Sequence, residues 1–183
     1  MTAPDQHQYL HVPPPHPATL ATDALLRQCE MGKDRGGGPG GQHRNKVETL
    51  VWMKHTPTGV ESHAGERRSA QENKNVAATR LRLALAVWVR SPVLPGEVRS
   101  ELWLRRCPDA GRGIISCSPE HPDFPSLLAE ALDVIHTCSE DVKKASLRLG
   151  CSMSQLVKLI KDHPPALIRL NEERQGRGLR TLK

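Results

Sequence analysis

Apolar residues recur along this chain with two different periods, and proline and glycine mark where one period gives way to the other. From Val47 to Lys54 large and β-branched residues alternate, with Val47, Val51 and Met53 on one face and Leu50 and Trp52 on the other, which predicts a strand. His55-Thr-Pro-Thr-Gly59 supplies a turn, and Val60-Glu-Ser-His-Ala64 returns as an antiparallel partner. Ser69-Ala-Gln-Glu72 then has capping-box spacing, in which the serine oxygen accepts from an early helical amide and the glutamate reaches back to the cap. A helix is predicted from there to Ser91-Pro92. Its stripe of Ala77, Leu81, Ala84, Leu85 and Trp88 covers one face of the hairpin.

Upstream of the hairpin, a short amphipathic stretch begins at Asp23 and carries Leu25, Leu26 and Cys29. Before it, His11-Val-Pro-Pro-Pro-His-Pro17 favours extended polyproline geometry, so residues 1–18 read as a flexible tail. Residues 92–122 are dense in proline, glycine and charge and read as a connector. Within it, Val98 to Leu104 predicts a short helix with Trp103, and Gly113 to Cys117 a short strand. Beyond Phe124 the helical period returns in Leu127, Leu128, Ala131, Leu132 and Ile135, and again in Val142, Ala145 and Leu149. Gly150 closes one helix, Ser152-Met-Ser-Gln155 opens the next with another capping box, and Pro164-Pro165 starts a last one. The chain leaves as the basic run Arg174 to Lys183.

Composition narrows the partners. The chain has 183 residues, enough for two compact pieces, and 26 Lys+Arg against 20 Asp+Glu give a formal charge of +6. Such a balance favours a polyanion, with a merely solvated basic surface as the alternative. Aromatic residues are 3% of the total, so base-stacking platforms are hard to build and phosphate contact is the expected mode. Cys29, Cys107, Cys117, Cys138 and Cys151 are scattered without a Cys-x-x-Cys pair, which reads as reduced, mostly buried thiols and no metal site. The first residues lack a signal or an Arg-rich transit pattern, and the run Leu83 to Val89 is far short of a membrane span of roughly 20 residues. A cytosolic protein without membrane contact is expected.

The chemistry lies in Arg35-Gly-Gly-Gly-Pro-Gly-Gly-Gln42, where glycine disfavours continuous secondary structure and predicts an exposed loop. A phosphate-binding P-loop fails, because Gln42-His43 stands where lysine and a hydroxyl are needed. Gly36, Gly38 and Gly41 meet the dinucleotide pattern, yet so glycine-rich a run matches it by chance, and a hairpin follows where a helix should.

The segment Gly37-Gly-Pro-Gly-Gly-Gln-His-Arg-Asn-Lys46 resembles the Gly-Gly-Gln loop of class I peptide-chain release factors and their ribosome-rescue relatives. Pro57-Thr-Gly-Val60 resembles that family's turn and second strand. Arg68-Ser69, Asn73-Lys74 and Leu81 resemble its helix start, so the likeness spans roughly residues 20 to 90. The predicted elements together make an α+β fold: a small domain of antiparallel hairpin on a long helix over 19–91, then a helical, helix-turn-helix-like domain over 123–175. Residues 176–183 form a basic tail.

Such a loop suits ester hydrolysis, which needs a positioned water and a donor for charge growing on the carbonyl oxygen. Gly40 and Gly41 let the backbone approach a crowded tRNA 3′ end, and Gln42 offers its main-chain N–H. Its neutral side-chain amide is no general base, and orients or screens water instead. The resemblance assigns the rest of the catalytic framework to ribosomal RNA and the terminal adenosine of the tRNA, with no cofactor. A free imidazole titrates near neutrality and could serve as a base, but phosphate contact is the expected role of His43. Arg35, Arg44 and Lys46 flank the loop as candidate RNA contacts, joined by Arg67, Arg68 and Lys74 and by Arg174, Arg177, Arg180 and Lys183. A solvated charged surface is the alternative for each.

The chain departs from decoding release factors in having no second α+β segment for stop-codon reading. It looks instead like the codon-independent rescue hydrolases, although their lysine-rich tail is shorter here. The function expected is ribosome-dependent peptidyl-tRNA hydrolysis by a monomer, with Gln42 a possible substrate of a glutamine methyltransferase. The alternative is a non-catalytic ribosome or nucleic-acid binding module. In that case the helix after Ser152 would present Ser154, Gln155, Lys158 and Lys161 to a DNA or RNA groove.

Overall fold

The computed structural model describes residues 9–34, 49–96, 98–108 and 113–183. Strand β1 (Leu10–His11) precedes helix α1 (Thr22–Arg27). Strands β2 (Cys29–Asp34), β3 (Leu50–His55) and β4 (Glu61–Ala64) follow, then the long helix α2 (Ala70–Trp88) and the short strand β5 (Val89–Arg90). Helices α3 (Glu101–Arg106), α4 (Phe124–Thr137), α5 (Val142–Arg148), α6 (Met153–Lys161) and α7 (Pro164–Gly176) complete the order.

The sheet is antiparallel in the order β2-β3-β4, with Met31, Met53 and Ser62 in one cross-strand row. The predicted alternation holds in β3, with Val47 outside the described residues: Val51, Met53 and His55 are buried while Trp52 faces solvent. Helix α2 lies on the buried side, and Ala77, Leu81 and Leu85 are fully inaccessible. Burying each of those leucines contributes about 2 kcal/mol. Ser69 caps the helix as its sequence predicts, accepting from the Glu72 N–H at 3.5 Å. The helix stops at Trp88, before the Ser91-Pro92 pair, because Val89 and Arg90 turn extended to pair in parallel with Leu10 and His11.

That pairing corrects the reading of residues 9–18 as part of a flexible tail, while residues 1–8 of that tail lie outside the described residues. Tyr9, His16, Pro17 and Ala18 are buried, and the His16 ring bridges the Ala18 N–H (3.0 Å) and the Val89 carbonyl (3.2 Å). Prolines leave this segment extended but do not keep it from packing. Strand β2 is a second departure, since Cys29 belongs to an edge strand and not to the preceding helix. In the 92–122 stretch the predicted helix forms around Trp103, which is fully buried and donates its indole N–H to the Leu149 carbonyl at 2.9 Å. The predicted strand from Gly113 to Cys117 does not form. The Ser116 N–H is taken by the Arg106 carbonyl and the Ile115 N–H by Gln155, so no partner strand is engaged.

One cluster of buried side chains runs from Ala18 and Leu25 through the α2 stripe to Leu127, Leu132, Leu156 and Leu170. The last residues fold back on α7: the Leu182 N–H donates to Asn171 Oδ1 at 2.7 Å, and Asn171 Nδ2 donates to the Leu182 carbonyl at 3.1 Å. Among the described residues no helix is long and apolar enough to cross a membrane.

Candidate functional site

Gly40, Gly41 and Gln42, with Arg35, His43, Arg44 and Lys46, lie outside the described residues. The described residues do fix where that segment begins and ends. Asp34, the last residue of β2, is the cross-strand partner of Leu50, the first of β3. The glycine-rich segment is therefore an insertion between two adjacent, paired strands, whose register sets the separation of its two feet.

The second foot is tied down by one side chain. Asn73, in the first turn of α2, is fully buried. Its Nδ2 donates to the Thr49 carbonyl at 2.6 Å and to the Arg67 carbonyl at 2.9 Å, while its Oδ1 accepts from the Arg67 N–H at 2.9 Å. The amide thus uses both donors and its oxygen, and it clamps the entry to β3 against the approach to α2. In the sequence Asn73 stands out as part of the family resemblance, with no role attached. Its only signal was its position four residues after a serine helix cap.

The same clamp places candidate cations at the loop's foot. Arg67 and Arg68 are exposed on the segment that Asn73 holds, and Lys74 is its half-buried neighbour on α2. A basic cluster next to the insertion suits a phosphate-bearing partner. Arg80, nearly two turns further along α2, is engaged internally: it donates to the His63 carbonyl at 2.9 Å and pairs with Glu66 at 2.7 Å, fastening β4 to the helix. The far end of the hairpin is braced by His55, whose Nδ1 meets Thr58 Oγ1 at 2.7 Å and whose Nε2 meets Gln28 Oε1 at 3.0 Å. Burial lowers the pKa of His55, which favours its neutral form.

The C-terminal candidates separate into two kinds. Arg174 is used inside the molecule, donating Nε to the Arg180 carbonyl at 2.9 Å and another guanidinium N–H to the Glu140 carbonyl. Arg177 stands 3.9 Å from the buried Glu140 carboxylate, while Arg180 and Lys183 are exposed. Cys107 and Cys151 are buried, and Cys29, Cys117 and Cys138 are half-buried free thiols.

Residues 27–91, from the start of the sheet to the end of α2, match the RF-1 domain. The chain is 51% identical over 53 residues to the chloroplastic peptide chain release factor PrfB1 of Arabidopsis thaliana, covering 29% of this chain and 12% of that protein. It is 44% identical over 52 residues to peptide chain release factor 1 of Symbiobacterium thermophilum, covering 28% and 15%. An uncharacterized mitochondrial peptide chain release factor-like protein of Saccharomyces cerevisiae is 38% identical over 95 residues, covering 51% of this chain and 59% of that protein. The chain thus spans less than two thirds of each of these relatives.

Proposed function

We propose, for a chain whose residues 27–91 place it in the class I peptide-chain release factor family, that it hydrolyses the ester of peptidyl-tRNA on the ribosome. Gly40-Gly41-Gln42 carries the reaction. The observation that supports this most is the seating of that motif: it lies inside the matched segment, between strands held in register at Asp34 and Leu50 and clamped by Asn73.

Water attacks the ester carbonyl carbon, the bond to the ribose oxygen breaks, and that oxygen leaves with a proton. The Gln42 N–H donates to the carbonyl oxygen as it becomes negative, and the Gln42 side chain orients the water. Gly40 and Gly41 keep side chains out of the approach. No base is assigned to His43, which with Arg35, Arg44, Lys46, Arg67, Arg68 and Lys74 contacts RNA phosphate. Arg180 and Lys183 remain open for such contact, with Arg177 beside Glu140.

The reading extends to codon-independent rescue of stalled ribosomes by a cytoplasmic monomer, with Gln42 open to methylation. It is supported by the described residues after the matched segment, where α4 to α7 build a helical unit. The test is peptide release from ribosomes stalled on an mRNA without a stop codon. Gln42→Ala and Gly41→Ala should each lower the rate at least about 100-fold, with binding retained. Equal release from stop-programmed and sense-programmed complexes supports the codon-independent part. Binding without release by the unaltered chain would leave only a non-catalytic ribosome-binding module.

A further inference from the structure

Helices α5 and α6 take no part in the site described above. Both are too short to persist alone and hold their shape by packing. Helix α5 buries Val142, Ala145 and Ser146, and α6 buries Leu156, Leu159 and Ile160. Residues 149–152 join them, with Leu149 and Cys151 turned into the core and Gly150 at φ +65°. A left-handed glycine lets the chain reverse within so few residues. Ser152 then caps α6 by accepting from the Gln155 N–H at 3.2 Å.

Gln155 itself turns inward, accepting from the Ile115 N–H at 3.4 Å. What α6 leaves outside is Met153, Ser154, Val157, Lys158 and Lys161, which with Asp162 line an open depression of about 520 Å³. The acids on this unit are already matched, Asp162 with Lys158 at 2.9 Å and Asp141 with Lys144 at 3.8 Å. Lys143, Arg148 and Lys161 have no ion-pair partner among the described residues. The unit therefore carries an excess of positive charge, which attracts phosphate.

We infer that the outward face of α6 docks on a duplex of ribosomal RNA and gives the chain a hold on the particle separate from its glycine-rich segment. The occupant rests on the ribosomal setting proposed above. Reading DNA bases suits this face poorly, because the one amide able to make paired contacts with a base edge, Gln155, is turned inward. A hydroxyl and flexible amines beside Met153 and Val157 suit phosphate and 2′-hydroxyl contacts along the shallow groove of an RNA helix.

The test uses the full chain with a labelled RNA hairpin of about 16 base pairs, the DNA duplex of the same sequence, and purified ribosomes. Ser154→Glu places a carboxylate near the N-terminus of α6, which helps the helix while repelling phosphate. It should leave the melting temperature unchanged or raised and weaken binding to the RNA hairpin and to ribosomes about ten-fold. Lys161→Gln should flatten the salt dependence of RNA binding by about one unit of slope. If these variants bind hairpin and ribosomes as the unaltered chain does, or if DNA is bound more tightly than RNA, the inference is overturned. Its fate is separable from that of the hydrolytic reading, because Gln42→Ala should bind the hairpin normally. A chain that binds RNA through α6 yet releases no peptide would refute only the latter.

Discussion

Asn73 turns its amide toward the foot of the glycine-rich insertion and leaves none of its strong hydrogen-bonding groups idle. Replacing it with aspartate preserves shape but removes both donors, so the carbonyls of Thr49 and Arg67 lose their partner and a carboxylate is buried beside them. Asn73→Asp should cost about 3 kcal/mol of stability, read as a lower urea midpoint. It should also slow peptide release under conditions where the chain remains folded, because the second foot is freed. An unchanged midpoint would mean the clamp is ornamental. The residue type was visible in the chain; its three partners, from sequence positions 49 and 67, were not, since nothing local links them.

Elements with a strong period were legible. Helix α2 combines a serine cap with a buried stripe at helical spacing, and β3 with its partner β4 alternates inside and outside. Strand β2 was not, because Cys29-Glu-Met-Gly-Lys-Asp34 lies at a sheet edge, where one side of the ladder is open and little alternation is imposed. The stretch after Gly113 failed in the opposite sense: its residues have strand preferences, but its backbone is claimed by Arg106 and α6. Gly113 itself sits at φ +54°, and a Cβ there would come 2.2 Å from the Ser152 nitrogen. Gly113→Ala combines a strained conformation with a backbone collision, and should destabilise by more than about 2 kcal/mol. Hydrogen exchange should show α6 loosened first.

At the scale of the whole molecule, two buried ionisable groups oppose each other. Burial pushes the His16 pKa down from 6.5 to about 4, and its ring is neutral with Nδ1 accepting from Ala18. Burial pushes Asp133 up from 3.8 to about 7, where it accepts from the Ser91 N–H at 3.1 Å near the Arg90 charge. Between those limits the unfolded chain binds the extra proton at His16, so stability rises with pH. At Asp133 the folded chain keeps the proton, so stability falls with pH. Each contributes about 3 to 4 kcal/mol across its window. His55 and His163, also lowered by burial, add to the rising side. Asp133→Asn should therefore make stability climb steeply from pH 4 to 6.5, whereas His16→Gln should make it decline toward pH 7. Denaturant titrations across that range read the slope, and parallel slopes in the two variants would contradict the assignment.

Period and capping residues were properties of neighbouring positions, so the chain alone specified the hairpin, the long helix and the closing helices. Packing decided the rest. The proline-rich start covers the end of α2, Trp103 enters the common core, and the last residues return to Asn171. Arg174 is withdrawn into internal bonds while α6 keeps its lysines outside. These outcomes depend on which distant groups need burial or a hydrogen-bond partner, and such needs are settled only when the chain is closed on itself.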